Sequence, residues 1–156
     1  RMSTELSHPS PHHNARPKGS VIRCIVLHAD AGQSDAGTLA WCADPESKVS
    51  YHILIGRNGK VYTLVHESRR AWHAGKGSWG GSNDVNSISV GVAFANKHDN
   101  VEPLTPLQLA VAPEVVKALR ERHPTIEAVV THADVSPGRK TDPLHSPGFV
   151  LADYQV

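Results

Sequence analysis

The tripeptide His-Ala-Asp occurs twice, at 28–30 and 132–134, each time directly after an apolar, β-branched run. Loops at strand ends are where α/β sheets place their sites, because the sheet fixes a side chain that a cleft can still reach. Two such strands side by side would bring two neutral imidazole nitrogens together. Asp142 follows His132 by ten positions, across a Pro137-Gly138 turn that can fold its carboxylate back to the same point. Two histidines and one carboxylate, with a fourth position left open, make a catalytic zinc set. The residues alone leave alternatives. A single strand-end histidine is commonly a hydrogen-bonded structural residue, and Asp30 or Asp134 could replace Asp142 as the third ligand. A closed structural zinc site needs four protein ligands, and only three convincing ones are present.

The elements that must position these groups follow from periodicity. Residues 21–27 form a short β-branched run that suits a buried strand ending at His28. Ser34 suits the N-cap of a helix over about 35–44. Residues 50–56 and 61–65 read as two strands joined by Asn58-Gly59, a hairpin signal. A glycine-rich loop spans 74–86, and 88–95 reads as a central strand. Thr105-Pro106 opens a further helix, which Pro113 is expected to kink or split. Residues 126–131 are the strand leading to His132, and 147–154 allow one last helical turn. Strands alternating with helices predict an α/β domain, a single domain whose central sheet is mixed because of the hairpin and is flanked by helices. Residues 1–19, with Pro9, Pro11, Pro17 and Gly19, read as an extended N-terminal arm, and 20–156 as the domain proper.

Composition excludes several classes. The chain has 16 basic and 15 acidic side chains, a net charge of +1, which is no footprint for nucleic acid. No apolar run reaches the roughly 20 residues of a membrane span, so no membrane insertion is expected, and no apolar leader is visible. The length suits one core, and a monomer is expected. Cys24 and Cys42 lie in apolar segments and read as buried thiols rather than a bridge. Of the 11 histidines, His8, His12, His13, His98 and His123 occupy polar or Pro-rich stretches and read as solvated. His52 alternates away from Tyr51 on its strand and reads as core packing.

One ordered series of motifs carries a resemblance. His28 after its strand, Tyr51-His52, Trp72-His73-Ala74-Gly75 and Asn86-Ser87-Ile88-Ser89-Val90-Gly91-Val92-Ala93-Phe94 lead to His132-Ala133-Asp134-Val135-Ser136-Pro137-Gly138-Arg139-Lys140-Thr141-Asp142-Pro143. Over roughly residues 20–154 the chain resembles the type 2 N-acetylmuramoyl-L-alanine amidases. That family includes AmpD-like amidases, T7-type phage lysozymes and peptidoglycan recognition proteins.

The resemblance implies one zinc ion held by His28, His132 and Asp142, and a substrate drawn from peptidoglycan or its muropeptides. It implies that Lys140 stabilises the developing oxyanion, that Tyr51 sits near the metal's water, and that His73 lines the substrate groove. Trp79, in the glycine-rich loop, is a candidate to stack on substrate, and Trp72 reads rather as an anchor. One departure stands out: the glutamate that AmpD-like members carry as proton carrier aligns with Ala93, which shifts weight onto Tyr51. Asp30 and Asp134 are candidates for contacts just behind the metal ligands. The compact length favours a phage endolysin that waits in the host cytoplasm and reaches the wall after membrane disruption. The alternatives are a non-catalytic peptidoglycan receptor and a recycling amidase acting on soluble muropeptides.

Overall fold

The computed structural model describes residues 5–156; the first four residues of the arm lie outside the described residues. The main strands are β1 (Glu5–Ser7), β3 (Cys24–Ala29), β4 (Ile53–Ile55), β5 (Val61–Thr63), β7 (Ser89–Phe94) and β8 (Ala128–Thr131). They form one mixed sheet in the order β1-β5-β4-β7-β3-β8, in which β4, β7, β3 and β8 run parallel. β5 turns back antiparallel to β4 through the Asn58-Gly59 turn, where Gly59 takes a φ of 78° that glycine adopts without steric cost. β2 (His13–Ala15) and β6 (Arg69–Ala71) make a separate antiparallel ribbon. The expected mixed α/β architecture is thus the one observed.

Among the described residues the α-helices are α1 (Asp35–Ala43), α2 (Pro106–Arg122) and the single turn α3 (His132–Val135). Ser34 caps α1 by accepting from the Gly37 amide. Thr105 and Gln108 close a reciprocal capping box at the start of α2. Pro113 does not split α2 as expected. Its missing N–H costs helix stability, on the order of 3 kcal/mol, but Ala112, Val115, Val116 and Leu119 are buried on the same helix and hold it against the sheet.

The alternation of β3 decides the chemistry. Ile25 and Leu27 point into the core shared with α2, whereas Cys24 and Val26 pack on the opposite face. His28 shares parity with the second pair, so it emerges on the face away from α2. Ala93 is its direct partner on β7. Both cysteines are buried and free, and burial pushes each thiol up to about 12.

Residues 5–19 lie along the domain. β1 pairs parallel with β5, and the Arg16 guanidinium donates to the carbonyls of Glu67, Asn86, Ser87 and Ser89. Burial, with Arg70 nearby, lowers the Arg16 pKa to about 10, still far above neutrality. His12 is not solvated as expected: the arm folds it inward, where it is buried and its Nε2 lies 2.7 Å from the Asp44 carbonyl. His98 is only part-exposed, stacked on His145 with ring centroids 4.8 Å apart.

His52 is core packing, as its parity suggests. Its Nδ1 accepts from the Gly91 amide at 3.0 Å and its Nε2 donates to the Arg69 carbonyl at 2.8 Å. Burial lowers its pKa to about 4 against an ordinary value of 6.5. A neutral imidazole is therefore required in the fold, and the unfolded chain binds the proton more readily. The contribution to stability is fully present above pH 6.5 and is lost as pH falls toward 4, up to about 3 kcal/mol. Urea midpoints measured with chelator should drop across this window. His52→Gln should flatten the slope, and an unchanged slope in that variant would discount His52 as its source.

Candidate active site

His28 is held by β3, His132 opens α3 directly after β8, and Asp142 arrives on the following loop. That loop is closed back by the Ala133 amide, which donates to the Asp142 carbonyl at 3.1 Å. The Ala29 amide donates to the Asp142 carboxylate at 3.3 Å. The three side chains converge. His28 Nδ1 lies 3.0 Å from His132 Nδ1, and each of these nitrogens lies 3.1–3.3 Å from an Asp142 oxygen. All three are buried, and among the described residues no fourth metal-binding side chain joins them.

Hydrogen bonds behind the rings decide where their protons sit. The Ser89 hydroxyl donates to the Val85 carbonyl at 2.6 Å, so its oxygen accepts from His73 Nε2 at 3.1 Å. His73 Nδ1 then carries a lone pair and accepts from His28 Nε2 at 2.9 Å. That leaves His28 Nδ1 bare. His132 Nε2 faces the Ala74 carbonyl at 2.8 Å and can only donate there, which leaves its Nδ1 bare as well. Burial lowers the His28 pKa to about 4 despite Asp142, so the ring is neutral at pH 7. Two bare nitrogens and an anion this close repel one another, and a divalent cation among them reverses the sign. The donor set therefore fits a metal ion, with nitrogen and oxygen ligands that suit zinc.

His132 and Asp142 line a cleft of about 500 Å³, and His28 is buried behind them. Tyr51 forms part of its wall, with its ring centroid 5.2 Å from that of His28. Burial, with Asp30 nearby, raises the Tyr51 pKa well above 10, so it is a neutral phenol at working pH. Lys140 is exposed on the cleft wall together with Lys48, Arg139 and His98. The Arg139 guanidinium is tied to the Ala74 and Lys76 carbonyls.

The other sequence candidates are placed differently. His73 shows the cleft only an edge; it is buried, with both ring nitrogens engaged between His28 and Ser89. Trp79 is not brought to this cleft. It packs against the cluster of Cys24, Val26 and Ala74, with the Arg23 guanidinium 5.0 Å over its ring. Trp72, read as an anchor, lines the cleft instead. Neither flanking aspartate joins the metal group. Asp30 accepts from the Gly32 and Asn96 amides and the Thr38 hydroxyl, and Asp134 caps α3 with Thr131. Lys48 and His98 carried no signal in the sequence, because only tertiary folding brings their loops to the cleft.

Known proteins place this arrangement. The N-acetylmuramoyl-L-alanine amidase family (Amidase_2) matches residues 18–145. The 1,6-anhydro-N-acetylmuramyl-L-alanine amidase AmpD of Citrobacter freundii is 32% identical, covering 95% of this chain and 87% of that protein. The N-acetylmuramoyl-L-alanine amidase AmiD of Escherichia coli is 35% identical over 78% of this chain and 49% of its own length. A crystal structure of an AmpD derivative superimposes with a TM-score of 0.78 at 28% identity, covering 99% of this chain and 94% of that one. On the matched motifs, the fold and these relatives together, the chain belongs to the type 2 N-acetylmuramoyl-L-alanine amidase family.

Proposed function

We propose that the protein is a zinc-dependent amidase that cleaves the bond between N-acetylmuramic acid and L-alanine in soluble muropeptides. The observation that carries this is the convergence of His28 Nδ1, His132 Nδ1 and the Asp142 carboxylate, with His132 and Asp142 lining a cleft. His28, His132 and Asp142 would hold one zinc ion, which would supply Lewis acidity and make water ionisable near neutral pH. Lys140 lines the cleft and would stabilise negative charge developing on the scissile carbonyl oxygen. Tyr51 offers a neutral hydroxyl that orients water or passes a proton to the leaving amine. Ala93 supplies no carboxylate for that task, although it shares the His28 face of the sheet.

The endolysin expectation gives way to the recycling alternative. Relatives that match over most of both chains include AmpD proteins, 29–32% identical, whose name specifies a 1,6-anhydromuramyl substrate. AmiD has been solved with anhydro-N-acetylmuramic acid-L-Ala-D-γ-Glu-L-Lys. The Bacillus subtilis endolysin structure is 23% identical, a likeness of fold alone. With a soluble fragment as substrate, no passage through a lysed membrane is required, and among the described residues no helix is long and apolar enough to cross one.

Incubation with an anhydromuramyl tripeptide should release a new L-alanine amino group. Chelation should abolish the release, zinc should restore it, and cross-linked peptidoglycan should react more slowly. Binding of the tripeptide without release would favour the receptor reading.

A further inference from the structure

The three metal-binding groups are not held alike. His28 sits on a central strand and His132 opens α3, but Asp142 lies on a loop. Two bare imidazole nitrogens and a carboxylate repel one another until a cation arrives, so the metal-free protein must hold that loop by other means. The Asp142 carbonyl is fixed by the Ala133 amide. The segment that follows, 143–147, belongs to no strand or helix.

Among the described residues, every hydrogen bond that leaves this segment for a distant part of the chain goes to residues 96–104. The His145 amide donates to His98 Nε2 at 2.9 Å, and the His145 carbonyl accepts from the Asn100 amide at 2.9 Å. The Ser146 hydroxyl donates to Asn96 Oδ1 at 2.7 Å, and the Pro147 carbonyl accepts from the Leu104 amide at 2.9 Å. His98 adds a stack on the His145 imidazole, with the two planes 14° apart. Both partners of the His145 backbone, His98 and Asn100, take a left-handed conformation, with φ of 56° and 64°. Residues other than glycine keep that conformation where surrounding bonds impose it. An amide N–H can only donate, so His98 Nε2 carries a lone pair and the ring is neutral, with its proton on Nδ1.

Building on the zinc amidase reading, we propose that His98 is a positioning residue for the third metal ligand. Its Nε2 pins the backbone three residues beyond Asp142. The pinned loop keeps the carboxylate on the Ala29 amide, 3.3 Å away, and within reach of the two bare nitrogens. A ligand ordered in advance raises metal affinity, because binding then has no loop to immobilise.

The test separates the acceptor atom from the ring. His98→Phe keeps a ring to stack on His145 but offers no acceptor, whereas His98→Gln offers a carbonyl oxygen at a similar reach. In competition with a chelator, His98→Phe should bind zinc about 10–100-fold more weakly, the range for loss of a group behind a ligand. His98→Gln should stay close to wild type. Cobalt(II) in place of zinc gives a second readout. Its visible bands should change in His98→Phe as the carboxylate leaves the shell, and not in His98→Gln. A general loss of stability would lower the melting temperature without moving those bands. Wild-type affinity in His98→Phe, or equal losses in the two variants, would overturn the assignment. None of these readouts needs turnover, so a protein that binds zinc and cleaves no muropeptide refutes the amidase reading alone. Should the wild-type protein bind no zinc, the Ala29 amide proton resonance of the metal-free protein decides. It reports the Asp142 contact and should move in His98→Phe but not in His98→Gln; a resonance that stays in both, or moves equally in both, sinks the proposal.

Discussion

Alanine in place of His132 is expected to leave the purified protein without zinc and without measurable turnover. His132 contributes one of the two bare nitrogens, and no neighbouring side chain among the described residues can replace it. Loss of a group behind a ligand typically costs 10–100-fold in metal affinity, so loss of the ligand itself should exceed about 100-fold on the same scale. Without the metal, water would keep its ordinary, far higher pKa and be a poor nucleophile at neutral pH. The fold should survive, because the sheet and the α2 core lie on the other side of β3. Metal content by atomic emission, circular dichroism and amine release check the three parts. Full zinc occupancy in this variant would remove His132 from the ligand set.

Lys140→Ala should separate binding of metal from use of it. The side chain is exposed on the cleft wall and shares no contact with the ligand shell, so zinc should remain stoichiometric. The developing oxyanion would lose one cation, and kcat should fall roughly 10²–10³-fold. Arg139 next to it cannot substitute, because its guanidinium is committed to the Ala74 and Lys76 carbonyls. Lys140→Arg should recover part of the rate. Normal turnover in the alanine variant would end the role assigned to Lys140.

How far the sequence could be read depended on whether a residue's position followed from local periodicity. His28 and His132 were legible because each closes an apolar strand, and strand parity sets the direction of a side chain. Asp142 was legible from the Pro-Gly turn and the motif series. Loop residues offered no such rule, which is why Trp72 and Trp79 exchanged their expected surroundings. The strand Arg69–Ala71 went unread because its residues are polar and its partner is the N-terminal arm. His12 was misread for the same reason, since only the packed arm buries it. His73 lay in a readable motif, but its place behind His28 required the hydrogen-bond chain to Ser89.

Gly91 lies beneath that chain. A methyl group added there would collide with the His73 ring. Any side chain at 91 must displace His73, and with it the group that sets the tautomer of His28. The position takes no part in the reaction and lies on a strand remote from the substrate, yet it guards the electron pair offered to the ion. A substitution at Gly91 would therefore be expected to weaken metal binding by moving His73, even where the sheet itself still forms.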